Sequence, residues 1–322
     1  MATEPQHHDF ETPLEPFEGK NPIKCISSSP SDSATTTTPP PLIFTHGAGG
    51  TLQSDAILNF RTGFATQSPI TCFQGSMNLS SRVKMFDAVI THESKTVPVT
   101  ALGGRSMGAR AAVMAAKGKA DVKYLVLVSY PLHTGKGDVR DEILMEIDKS
   151  VKVLFVVGDR DSMCDLERLE GVRSKMTAES WRVVVEGADH GMSVKPKVGT
   201  KAVGELVGRV VVEWLNEIQE SVLEDKRKEG RIWWDGDEQK EKWGGWEGVS
   251  SDKTSSQNDQ TVKNDESSKP EKISNKASKR GTTKKEITSD GDLKTGTPQP
   301  RHKRTRNEYP EIEELRKPAR KR

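Results

Sequence analysis

From residue 42 onward, short apolar runs alternate with helical stripes, and that alternation leaves few folds open. The runs are LIFTH (42–46), ITCF (70–73), VPVTALGG (97–104), KYLVLVSYPL (123–132), VKVLFVV (151–157) and WRVVVEG (181–187). They are rich in Val, Ile and Leu, and several are apolar on consecutive positions, as in strands buried on both faces. Between them Val83, Phe86, Val89 and Ile90 are spaced for one helix face, and Met107–Lys117 is rich in Ala. The clearest stripe is Val203, Leu206, Val207, Val210, Val211, Trp214, Leu215 and Ile218, which predicts an amphipathic helix packed on a core. Strand–helix alternation of this kind implies an α/β architecture: a mostly parallel sheet with helices on both faces. The predicted folded unit is 42–220.

The flanks read differently. Thirteen of the fifteen residues in 27–41 are Ser, Thr or Pro, so residues 1–41 are expected to be a flexible N-terminal segment, with at most a short strand near Pro22–Ser27. Residues 221–249 form a Trp-rich segment. Residues 250–322 hold only nine apolar residues in 73 and are expected to be a disordered basic tail. Over the whole chain of 322 residues only 33% are hydrophobic and 30% are charged, too polar for one core filling the entire length.

The net charge of +2 hides an asymmetry: residues 221–322 carry 25 Lys+Arg against 20 Asp+Glu, whereas 1–220 are mildly acidic. No run approaches the roughly 18 apolar residues a membrane span requires. Cys25, Cys72 and Cys164 are odd in number and show no CxxC pairing, which argues against a disulfide framework and against zinc, and fits a reducing compartment. The N-terminus lacks the apolar region of a secretory signal, and its acids argue against a transit peptide. A nuclear and/or cytoplasmic location is the expectation.

The run VPVTALGG leads into G-x-S-x-G as Gly104-Arg105-Ser106-Met107-Gly108, and the Ala-rich helix opens there. A nucleophilic serine needs such a strand-to-helix turn to project its hydroxyl above the sheet, and the glycines leave room for it. Two later strands end in Gly158-Asp159-Arg160-Asp161 and in Ala188-Asp189-His190-Gly191, which gives the order Ser…Asp…His. Asp161 is the expected acid, because it lies farther into its loop than Asp159, which reads as a turn former. His190 would take the proton of Ser106, and Asp161 would hold the imidazole in its tautomer. His46-Gly47-Ala48-Gly49-Gly50 follows the first run, so the backbone N–H groups of Ala48, Gly49 and Met107 are the expected oxyanion donors. This chemistry calls for neither cofactor nor metal.

THGAGG, LGGRSMGARAA, SYPLH, RDEIL, VLFVVGDRDSMC and ADHGMSVK together resemble the alpha/beta-hydrolase-like family of testis-expressed protein thirty and subunit three of the NSL acetyltransferase complex, itself similar to dienelactone hydrolases. The resemblance covers about residues 42–219. It implies an alpha/beta-hydrolase fold without a lid domain, and it matches Ser106, Asp161 and His190 to the family's serine, aspartate and histidine. The chemistry expected is hydrolysis of a small ester, thioester or related acyl substrate. The alternative is a non-catalytic hydrolase-like scaffold recruiting nuclear, chromatin-complex partners.

Arg105 beside the serine could attract an acidic substrate group or form a salt bridge. Trp233, Trp234, Trp243 and Trp246 could dock a protein partner or fold back over the domain. Arg301, Lys303, Arg304, Arg306 and the Lys317–Arg322 cluster resemble a bipartite signal for an import receptor, with a solvated tail as the alternative. Nucleic-acid binding is disfavoured, since Tyr309 alone is available there for stacking. Cys164 reads as core packing.

Overall fold

The computed structural model describes residues 5–12, 22–31, 41–133, 139–220 and 229–247. The disordered and import readings of residues 250–322 lie outside the described residues.

The apolar runs do become the centre of one sheet. β3 (Leu42–Thr45), β4 (Ile70–Phe73), β5 (Ala101–Arg105), β6 (Tyr124–Val128), β7 (Lys152–Gly158) and β8 (Ser180–Val185) pair in parallel in the order β4-β3-β5-β6-β7-β8. Nearly every residue in these strands is buried, because helices cover both faces. One face packs Phe73, Leu102, Leu125, Leu127, Val153 and Phe155 against α2 (Leu79–Glu93), α3 (Met107–Ala116) and α5 (Leu166–Arg173). The other packs Phe44, Val126, Leu154, Val156 and Trp181 against α1 (Asp55–Ala65) and α6 (Gly199–Gln219). The α6 stripe buries Val203, Val207, Val210, Val211, Trp214 and Leu215 as its spacing requires. Side-chain caps start two of these helices: Asn78 accepts from the Ser81 N–H at 2.8 Å, and Asp165 from the Arg168 N–H at 2.9 Å. A short helix, α4 (Glu142–Met145), lies between β6 and β7.

The sheet runs past both expected boundaries. Residues 1–41 are not flexible throughout: β1 (Gln6–Thr12) and β2 (Ile23–Ser29) add two antiparallel strands beside β4. β2 is held because Ile23, Cys25 and Ile26 are buried in the two cores. β1 needs little apolar content, since it is an edge strand paired on one side only. At the other end β9 (Glu229–Asp235) pairs in parallel with β8, and β10 (Lys240–Glu247) closes the sheet as an antiparallel hairpin. Of the two readings of the tryptophans, folding back describes three of them. Trp234, Trp243 and Trp246 pack against the α6-side core, and Trp243 Nε1 donates to Glu213 of α6 at 3.2 Å.

Candidate functional site

The site forms where β3, β5, β7 and β8 end at the same rim. β5 delivers Arg105 and then Ser106, which takes φ 54° and ψ −117° before α3 begins. Only the packing around it can hold a non-glycine residue there. Two glycines make the turn possible. A Cβ on Gly104 would lie 2.6 Å from the Gly108 carbonyl oxygen, and one on Gly108 would lie 2.5 Å from that of Thr45. The backbone approaches too closely for any side chain at either position.

Ser106 Oγ sits 2.9 Å from His190 Nε2. His190 Nδ1 sits 2.9 Å from both carboxylate oxygens of Asp161. The Asp161 side chain is fully buried, while that of His190 is 24% exposed. The structure therefore brings together three residues that are far apart in the chain, in the order hydroxyl, imidazole, carboxylate. With a carboxylate on Nδ1, that nitrogen carries the proton and leaves Nε2 to accept from the serine.

The two loops holding the acid and the imidazole are tied to each other. Asp161 Oδ1 also accepts the Met163 N–H at 2.8 Å, which fixes the carboxylate. Asp159 accepts the Gly187 N–H at 2.7 Å, so it bridges to the β8 loop and does not face the ring. The Arg160 N–H donates to the Ala188 carbonyl at 3.0 Å. Asp189 folds its own turn by accepting from Gly191 at 2.8 Å and Ser193 at 3.0 Å.

The loop after β3 abuts the serine: a Cβ on Gly47 would lie 3.2 Å from that of Ser106. Sequence reasoning missed what holds this loop. His46 is buried; its Nε2 accepts from the Gly75 N–H at 2.9 Å and contacts Gln74 Nε2 at 2.7 Å, while its Nδ1 reaches the Gly47 carbonyl at 2.7 Å. Those partners require the proton on Nδ1. Burial above all, and then the Arg82 charge, push the His46 pKa down against the opposing bond to Gly47, so the ring stays neutral. Arg82 is fully buried and donates to three carbonyls: Ser76 at 2.8 Å, Gly75 at 3.3 Å, and His46. Burial holds its pKa down to about 10.

Of the expected oxyanion donors, the Gly49 N–H is directed elsewhere, onto Met77 Sδ at 2.9 Å. Met107 is the first residue of α3, where helix N–H groups have no intrahelical acceptor. Ala48 lies exposed at the tip of the loop.

The topology and the elbow at Ser106 decide the architecture. The fold is that of the alpha/beta hydrolases. Residues 77–218 match the family described as an alpha/beta hydrolase domain. The chain resembles dienelactone hydrolase from Anabaena variabilis with a TM-score of 0.52 at 15% identity, over 67% of this chain and 99% of that one. It resembles Est1E from Butyrivibrio proteoclasticus with a TM-score of 0.50 at 16% identity, over 65% and 99% of the two chains. In this chain the β6-to-β7 connection carries only α4 among the described residues.

His133 Nε2 accepts the Asp165 N–H at 3.2 Å, as a loop histidine. His92, half-buried, packs on Phe10 of β1, ring centroids 4.9 Å apart. Cys164 is buried, and burial with the nearby Asp161 and Asp165 pushes its thiol up to about 12, which removes it as a nucleophile at neutral pH. A cavity of about 560 Å³, lined by Val113, Met114, Val122, Ile143 and Ile147, opens at the opposite ends of the strands, away from this chemistry. Among the described residues no group of three His, Cys, Asp or Glu could hold a metal ion, and no helix is long and apolar enough to cross a membrane.

Proposed function

We propose that the protein is a serine hydrolase acting on small ester, thioester or related acyl substrates. One observation carries the reading: Ser106 Oγ, His190 Nε2, His190 Nδ1 and Asp161 form an unbroken hydrogen-bonded chain with each link at 2.9 Å. Ser106 attacks the acyl carbon while His190 accepts its proton. The tetrahedral oxyanion collapses, the leaving group departs with that proton, and an acyl-enzyme remains. Water, activated by the same imidazole, then releases the acid and restores Ser106. Asp161 holds the ring and stabilises the imidazolium without itself taking the proton.

The oxyanion is served by the N–H groups of Met107 and Ala48. Gly49 leaves the set, because its N–H is engaged by Met77. The 8% exposure of Ser106 and the half-buried imidazole suit a small or surface-presented acyl group. Within the fold, GGRSMGAR and SYPLH support placing the chain with the family of testis-expressed protein thirty and NSL subunit three. The packing of Trp234, Trp243 and Trp246 against the α6-side core leaves less of the tryptophan cluster to support the scaffold alternative.

Labelling with a fluorophosphonate tests the proposal. The wild-type chain should react covalently near neutral pH and Ser106→Ala should not. A wild-type protein that stays unlabelled overturns the hydrolase reading.

A further inference from the structure

The proposed chemistry makes no use of the side chain of Arg105, the residue that immediately precedes Ser106. Its Nη2 donates to the backbone carbonyl of His190. Its Nη1 lies against Gly47, where an added Cβ would come within 2.8 Å of that nitrogen. One planar group, based one residue before Ser106, therefore touches both the loop carrying the imidazole and the loop after β3.

This arginine is poorly arranged for stability alone. Its hydrogen bond goes to a neutral carbonyl, and its Nε is buried without a partner. Burial pushes its pKa down, with the charges of Asp161 and Asp189 pulling the other way. A half-buried cation in that setting costs desolvation that an apolar residue of similar size would not. Lysine could not do the same job, because its single nitrogen cannot reach two loops in one plane.

We propose that Arg105 is a positioning residue that clamps the His190 loop and the Gly47 loop to the nucleophile strand. The inference rests on the serine-hydrolase reading and deepens it. The clamp keeps the imidazole at hydrogen-bonding distance from Ser106 while the donor loop stays beside the oxyanion. Near-attack geometry is sensitive to such support, since about 1 Å of misplacement costs roughly 10²-fold in rate.

The test uses the full chain with p-nitrophenyl acetate and a fluorophosphonate. Arg105→Ala should lower kcat and the labelling rate by about 10²-fold with KM little changed. Added methylguanidinium should restore part of the loss, and Arg105→Lys should retain more activity than Arg105→Ala. A merely structural role would show a lowered Tm and no rescue. Labelling of Arg105→Ala at the wild-type rate overturns the clamp, as does a rise in KM alone, which would make Arg105 a substrate contact.

If the wild type itself fails to label, the hydrolase reading falls, and the proton on His190 Nδ1 still decides the positioning claim by NMR. Arg105→Ala, or Arg105→Lys should the alanine variant not fold, must speed its exchange with water. Unchanged exchange overturns the clamp.

Discussion

Asp161 presents both carboxylate oxygens to His190 Nδ1 at 2.9 Å, whereas Asp159, two residues earlier, is bound to the Gly187 N–H. The two acids share a loop and do different work. Asp161→Asn would replace an acceptor by a group that can donate, which favours the wrong imidazole tautomer. Turnover of an activated ester should fall by about 10⁴-fold, with the fold kept. Asp159→Asn should leave turnover within about tenfold and cost at most ~1 kcal/mol through its one loop hydrogen bond. Steady-state kinetics on the two variants checks the division.

The turn that carries Ser106 depends on backbone approach at Gly108. A Cβ there meets the Thr45 oxygen at 2.5 Å and the His46 oxygen at 2.7 Å, both backbone atoms that cannot swing aside. Gly108→Ala should therefore separate α3 from the end of β3 and cost about 1–3 kcal/mol. Urea denaturation measures the cost. Labelling of Ser106 should fall along with it, because the same shift moves the nucleophile.

The strands covered on both faces and the strongly amphipathic α6 were legible, and the edge strands and weakly patterned helices were not. β3 to β8 announce themselves because strands covered on both faces must be apolar at consecutive positions. β1, with the sequence QHHDFET, carries no such signal: an edge strand is stabilised by main-chain pairing to β2 and is largely exposed. α1 could have been read from Ile57, Phe60 and Phe64, all buried, but Asn59, Arg61 and Gly63 interrupt its pattern and are also buried. α5 has only eight residues and little apolar asymmetry. In the site, Ser106, Asp161 and His190 were legible because the turn motif and the ends of later strands fix where such groups can stand. The Arg82 and His46 network was not, because it satisfies carbonyls, and no residue pattern reports where orphan carbonyls will lie.

The hairpin of β9 and β10 is part of the fold, and Trp243 shows it. Its ring stands edge-on to Trp246 with centroids 5.2 Å apart, and its Nε1 reaches Glu213 of α6 at 3.2 Å. Trp243→Ala should destabilise the protein by about 2 kcal/mol, below the roughly 3–5 kcal/mol for a fully enclosed aromatic. Trp233, which is not among the tryptophans packed on that core, should tolerate alanine better. Equilibrium unfolding of the two variants settles the ranking. Equal tolerance at both positions would mean that the hairpin contributes little to the core.

His46 should leave a signature in the acid limb of stability. Its native pKa lies below the ordinary value of 6.5, chiefly because of burial and also because Arg82 stands nearby. Well above pH 6.5 the ring is neutral in both folded and unfolded chains and adds no pH dependence. As pH falls through 6.5, the unfolded chain takes up a proton that the native site refuses, so folding loses ground. The loss approaches about 1.4 kcal/mol per pH unit until the native pKa is reached. His46→Gln removes the titration and can keep an acceptor facing the Gly75 N–H. The variant should be less stable at neutral pH by about 1–3 kcal/mol, because the Nδ1 bond to Gly47 is lost. Its stability should then fall less steeply than the wild type's in acid. Subtracting the two urea-derived curves cancels the other titrating groups, and parallel curves would mean that His46 is protonated within the fold.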